Sequence, residues 1–313
     1  MLNFIIKRLL TSILVIIGVT IVIFSLVHMA PGDPIQIMAR LDAKEEDIEA
    51  LRVKMGMDKP LIVQYFNYVK GLLHLDLGKS IITNKNISDE IFFRFRNTAE
   101  LAVAGMLISS VFGIFIGIVA AVNRDRWLDK TLMSLSITGI SMPSFLLALL
   151  LMLLLVSQWH LLPASGREGS PFTAEGFKYI ILPALTLGIS GTASIARLTR
   201  SSVVAVLNEE FVMTLKAKGL RRKMILFKHI LRNASLPILT MIGLDFGYLL
   251  GGAVVTETIF AWPGIGKYAM DAISQNDFPA VQGAVLILSM MFMLINLVVD
   301  LLYGVLDPRV SLE

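Results

Sequence analysis

The groups that could do chemistry in this 313-residue chain are few. Leu77-Gly78-Lys79-Ser80 ends like a phosphate-binding loop, in which backbone amides and a lysine cradle phosphate. That loop needs a glycine five residues ahead of Gly78, and position 73 is Leu, so nucleotide binding is not expected there. The four histidines (His28, His74, His160 and His229) are scattered, and none stands in an HExxH or similar ligand spacing. The chain has no cysteine, which removes disulfides, thiolate metal sites and cysteine nucleophiles together. No catalytic or metal-binding residue is expected. One acid stands apart: Asp245 lies inside the apolar run 233–256. A charge at bilayer depth costs at least about 2.5 kcal/mol and faces protein or water. On a 100° wheel Asp245 shares a face with Met241, Leu249 and Gly252, with Tyr248 adjoining. Two readings fit. The acid faces a water-filled space and favours a cationic group there, or it pairs with a neighbouring helix or subunit.

The elements that must position these groups are membrane spans. Apolar residues make up 55% of the chain and charged ones 17%, with a mean hydropathy of +0.74. A soluble chain carries about a quarter charged residues, so this one lacks the surface a water-soluble fold needs. A bilayer core about 30 Å thick takes about 20 apolar helical residues. Six segments meet that length: 9–29, 98–122, 132–159, 179–200, 233–256 and 280–303. The first follows a short N-terminal stretch, 1–8, and is too long for a secretory signal. Two prolines, Pro31 and Pro34, end it.

Charge in the short loops sets the orientation. Residues 123–131 hold three Lys/Arg and 197–232 hold nine, against two in 160–178 and one in 257–279. Placing the basic loops in the cytoplasm puts both termini inside, as six spans require. Residues 30–97 then form an extracytoplasmic segment, long enough to be exempt from the charge rule. It reads as helical: Asp42 and Glu45 have capping-box spacing, Ile48, Leu51 and Met55 share a face, and so do Tyr65, Tyr68, Val69 and Leu72. Ser88 caps a short aromatic helix through Phe95 that lies on the membrane surface or packs over the span ends. Gly113 and Gly117 form a close-packing face, and Pro143 kinks the third span.

The cytoplasmic loop 201–232 carries the most informative local pattern. Asn208 is a candidate N-cap, with Glu209 and Glu210 in the first turn where the helix dipole favours acids. Phe211, Leu215 and Lys218 follow at helical spacing, with Lys216 between them. Gly219 closes the helix as a left-handed cap before Leu220 and Arg221-Arg222-Lys223. Attraction to anionic lipid explains the charge but not a capped helix with its own apolar face.

This loop resembles the conserved cytoplasmic motif of binding-protein-dependent ABC importer permeases, Glu-Ala-Ala, three residues, then Gly. Met213-Thr214-Leu215 stands where Glu-Ala-Ala would be, Gly219 matches, and the later Leu-Pro is Leu236-Pro237. That later position is similar to the dipeptide, oligopeptide, glutathione and nickel branch. The likeness runs along the chain through Ala30-Pro31-Gly32-Asp33-Pro34, Asp58-Lys59-Pro60-Leu61, Ser141-Met142-Pro143, Trp262-Pro263-Gly264-Ile265-Gly266 and Asp300-Leu301-Leu302-Tyr303-Gly304. The resemblance implies an all-α, six-span type I importer permease with core 98–305 and a coupling helix at about 208–220. It also implies a second homologous permease, two ATPase subunits and an extracytoplasmic solute-binding protein as partners. ATP and Mg would sit on the ATPases, with no cofactor on this chain.

Two features keep two readings each. The 257–279 loop with Trp262, Pro263 and Gly264 is an interfacial turn, or it covers the outer mouth and meets the binding protein. The cargo is di- or oligopeptide, or alternatively nickel, a metal chelate or glutathione. An ion-coupled secondary transporter would carry several intramembrane acids in repeated halves, and one deep acid with no repeat argues against it. Glu100 and Glu257 are expected at span ends, within reach of water.

Overall fold

The computed structural model describes residues 2–29, 45–54 and 57–306. Within these the chain is helical, with no strand beyond a single bridge between Lys79 and Asn86. The helices are α1 (Leu2–Met29), α2 (Glu45–Lys54), α3 (Leu61–Leu73), α4 (Ile87–Val122), α5 (Trp127–Ser141) and α6 (Ser144–Leu151). They continue with α7 (Ala174–Leu207), α8 (Glu210–Ala217), α9 (Leu231–Ile259), α10 (Ile265–Ser274) and α11 (Phe278–Leu306). Five helices are long and apolar enough to cross a membrane, and α5 with α6 makes a sixth if the bent pair is one span. The residues expected to break the first span, and the Asp42 cap, lie outside the described residues.

The third span departs from a simple kink. Pro143 has no amide hydrogen, so the helix stops at Ser141 and restarts at Ser144, bent by 106°. The continuation Met152–Gln158 is wound as a π-helix.

The chain divides into two compact units, one of Met1–Ile5, Ala99–Trp262 and Phe292–Glu313, the other of Ile6–Thr98 and Pro263–Met291. In the first, α4 crosses α7 at very short range. A Cβ on Gly113 would lie 2.7 Å from Ile195, and one on Gly117 would lie 2.5 Å from Thr199. The glycine pair therefore serves packing within the chain.

In the second unit α3 lies along α1. Tyr65, Tyr68, Val69 and Leu72 are the half-buried face, and Tyr65 hydrogen-bonds Thr20 at 3.0 Å beside Phe24. Burial pushes the Tyr68 phenol up to about 12. The surface helix expected at 88–95 is instead continuous with the second span, because α4 runs unbroken from Ile87. Ser88 is thus inside the helix rather than its cap, and its hydroxyl donates to the Leu75 carbonyl at 2.7 Å.

The phosphate-loop look-alike is part of this unit. It enters a tight hairpin, not a helix: Gly78 takes φ +81°, and Ser80 Oγ donates to the Asp277 carboxylate. Asp277 also accepts from the Ile81 amide at 3.1 Å, so the serine serves a structural brace.

Candidate functional site

The helix α8 follows directly on α7, and the junction corrects one expectation. α7 persists to Leu207, so Asn208 caps that helix in αR geometry and is not the N-cap of the next. The N-cap position of α8 belongs to Glu209, whose backbone is extended and whose carbonyl accepts from the Val212 amide at 3.1 Å. The C-terminus is a Schellman closure. Gly219 takes φ +75°, its amide donates to Lys216 O at 3.0 Å, and the Leu220 amide donates to Leu215 O at 3.3 Å.

The eight residues have two unlike faces. Val212 is fully buried, and Phe211, Leu215 and Leu220 pack beside it. Their cluster is built from Ala121 at the end of α4, Val203 and Val206 of α7, Ile225 and Ile230 of the π-helical stretch that leads into α9, and Ala234 and Ile238 of α9. Asn208, Glu209, Glu210, Met213, Thr214, Lys216, Lys218 and Gly219 are exposed. Lys218, expected with Phe211 and Leu215, is on the open side. Val212, which the 211–215–218 spacing passed over, is the central anchor.

Asp245 is 8% exposed, and its Oδ2 is buried with no hydrogen-bond partner. It lies against Gly191 of α7, where a Cβ would stand 3.6 Å from Oδ2 and 3.0 Å from Ser109 of α4. Leu249 is buried with it and Met241 half-buried, whereas Tyr248 is 77% exposed. Gly252 continues the same helix. The adjoining tyrosine and the acid thus point into different surroundings.

The outer-loop expectation of an interfacial tryptophan is corrected. Trp262 is 1% exposed, packed among Leu101, Ile180, Ala184, Leu187, Leu249 and Ala253. The Arg167 guanidinium stands 5.6 Å over its ring and bonds Glu100 at 2.7 Å. Phe260 is buried too, and its carbonyl accepts from the Gly166 amide at 2.8 Å. Glu257 is fully buried and does not reach water. Beyond Trp262, Pro263 gives its carbonyl to Asn97, and Gly264 starts α10, whose Ile265 amide donates to Thr98 Oγ1 at 2.9 Å. On α10, burial pushes the Tyr268 phenol up to about 12, beneath the Arg94 guanidinium.

Sequence reasoning missed the ion pair between Asp129 of α5 and Arg200 of α7, 71 residues apart, with both oxygens held at 2.6 Å. No group of three or more potential metal ligands occurs among the described residues.

Known proteins decide what this arrangement belongs to. The family described as binding-protein-dependent transport system inner membrane component matches residues 113–312, and the N-terminal family of such membrane components matches 1–102. The chain belongs to this family. It is a multi-pass protein of the cytoplasmic membrane, a permease subunit of an ABC importer. Among curated relatives, the dipeptide transport system permease protein DppB of Escherichia coli K12 is 42% identical over 335 residues, covering 99% of both chains. The glutathione transport system permease protein GsiC of Salmonella typhimurium is 42% identical over 310 residues, again with 99% of both covered. Among solved structures, the inward-facing MetNI methionine ABC transporter aligns with a TM-score of 0.57 at 14% identity, over 69% of this permease and 96% of that chain. An amino acid ABC transporter determined with histidines gives 0.52 at 15%, over 71% and 94%. These two show the shared fold.

Proposed function

We propose that this permease forms half of a translocation pathway for di- and oligopeptides, driven by ATPase subunits that dock on the open face of α8. The second half comes from a homologous permease, and an extracytoplasmic binding protein delivers the cargo. ATP and Mg reside on the two ATPase subunits, and this chain holds no nucleotide. Both termini and α8 lie in the cytoplasm, on the side of the basic loops.

The single observation that carries the coupling reading is the two-sidedness of α8. Its inner face is fixed to the ends of α4, α7 and α9, while its outer face is exposed and polar apart from Met213. A rigid helix held in this way passes displacement to the spans without absorbing it.

The peptide reading rests on the dipeptide relative. A second reading, glutathione, is favoured by alignment length: the glutathione relative aligns over 310 positions and the dipeptide relative over 335, so the latter needs gaps in this chain. Nickel or a metal chelate rests on branch resemblance alone. Within the pathway, Asp245 is the group that selects a cationic amine. Its unpartnered oxygen, with the half-buried Met241 one turn away, supports that role. At the outer loop the Trp262 ring is committed inside, so a contact with the binding protein would use the exposed Ala261 and half-buried Pro263.

Uptake in proteoliposomes tests the proposal. The complete complex should accumulate labelled glycyl-leucine or glutathione with ATP inside the ATPase compartment, and ionophores should not abolish it. Gly219→Asp should remove uptake while leaving the assembled complex in the membrane. Uptake that follows an ion gradient without ATP would overturn the reading.

A further inference from the structure

No residue of α5, the first half of the bent span, belongs to the described apolar cluster that seats α8. Next to the ion pair, a cleft of about 210 Å³ opens between α5 and α7, lined by Met133, Ile137 and Ile140 on one side and Ala193, Arg197, Arg200 and Ser201 on the other. What crosses is the Asp129–Arg200 pair. Arg200 Nε donates to Oδ1 and Nη2 to Oδ2, each at 2.6 Å, and the Asp125 amide donates to Oδ2 at 2.9 Å. Asp129 is 2% exposed, so both of its oxygens are committed. Two parallel bonds fix orientation as well as distance, which one apolar contact cannot do.

Arg200 also stands three residues before Val203, on the same face of α7, and Val203 is a fully buried member of the α8 seat. A displacement of α8 thus reaches Arg200 through one turn of a continuous helix. We propose that Asp129 and Arg200 are positioning residues that make α5, and with it the bent span, follow α8 when the ATPases close. This rests on the coupling role of α8 proposed above. The cleft lets α5 change its packing against α7 while the ion pair sets where its end goes.

The test follows α5 against α8 without a transported cargo. Because the chain lacks cysteine, Trp127→Cys and Met213→Cys give two exposed spin-label sites, one on each helix. Distances are measured in the full complex, with cysteine-free partners, with and without ATP and vanadate. In the wild-type background the distance should stay constant, because the helices move together. In Asp129→Asn it should shift by about 1–2 Å or more on ATP binding, the scale of packed-helix displacements. Arg200→Lys keeps the charge but loses the two-point grip, and should shift in the same direction. It also serves if Asp129→Asn fails to assemble. Asp129→Glu should restore part of the constancy. Unchanged distances in both Asp129→Asn and Arg200→Lys would overturn the inference. A third label on an ATPase subunit separates the two readings: if Met213 does not move with that subunit, the coupling role fails, whereas if it does and α5 still follows without the pair, only this inference fails.

Discussion

The amide of Leu220 donates to the carbonyl of Leu215 at 3.3 Å, and both side chains rest on one apolar cluster. This pairing holds the end of α8 in place while Gly219, between the two, turns the chain with φ +75°. A Cβ at Gly219 would meet nothing within 4 Å, so the cost of a side chain there is conformational.

Substitutions at Gly219 should therefore rank by left-handed tolerance. Gly219→Asn should stay near wild type in thermal stability, whereas Gly219→Val should lose about 1–2 kcal/mol. Denaturation of the purified complex followed by fluorescence checks the order. Equal loss in both would show that the position responds to size.

The two faces of α8 should separate stability from coupling. Val212→Ala removes buried methyl groups and should cost about 1–3 kcal/mol, lowering the amount of folded permease. Glu210→Ala and Lys216→Ala touch nothing buried and should change stability by less than about 0.5 kcal/mol. They should instead lower ATP hydrolysis stimulated by the loaded binding protein. Membrane yield and ATPase rate, measured on the same preparations, resolve the two effects.

Much of this was legible in the sequence, for a physical reason. Apolar length acts locally, so the spans appear as runs, and a left-handed glycine after an amphipathic turn marks a helix end by itself. Asn208 was misread because its type suits a cap, while only the persistence of α7 to Leu207 decides which helix it caps. Trp262 was placed at the interface by its own chemistry. Its burial depends on Arg167 and Leu101, distant residues that no local pattern ties to it. The Asp129–Arg200 pair gave no signal, since an acid beside a basic loop has many possible partners within its own turn. Tyr248 adjoined Asp245 on the wheel, but a wheel does not say which side neighbouring helices occupy.

The Trp262 ring should behave as core. Trp262→Ala should destabilise the first unit by about 3–5 kcal/mol, and Arg167→Ala should cost less because the ring stays. Affinity for the binding protein, measured on whatever folded complex remains, should be unchanged. A selective loss of that affinity with normal stability would place the ring in a docking surface.

Asp245→Asn keeps the shape and removes the carboxylate. Uptake of peptides with a free amino terminus should fall about tenfold, one charged hydrogen bond's worth, while amino-acetylated analogues are affected little. Equal effects on both would assign Asp245 to packing against Gly191.

The central claim is that the open face of α8 meets an ATPase subunit, and a cysteine-free chain allows it to be tested at single residues. Met213→Cys and Val212→Cys, each labelled with a photoreactive maleimide in the assembled complex, differ by one position and by face. Met213 is 72% exposed and Val212 fully buried. The account predicts a cross-link from Met213→Cys to an ATPase subunit and none from Val212→Cys. Absence of that product from Met213→Cys, in a complex that still hydrolyses ATP, would contradict it.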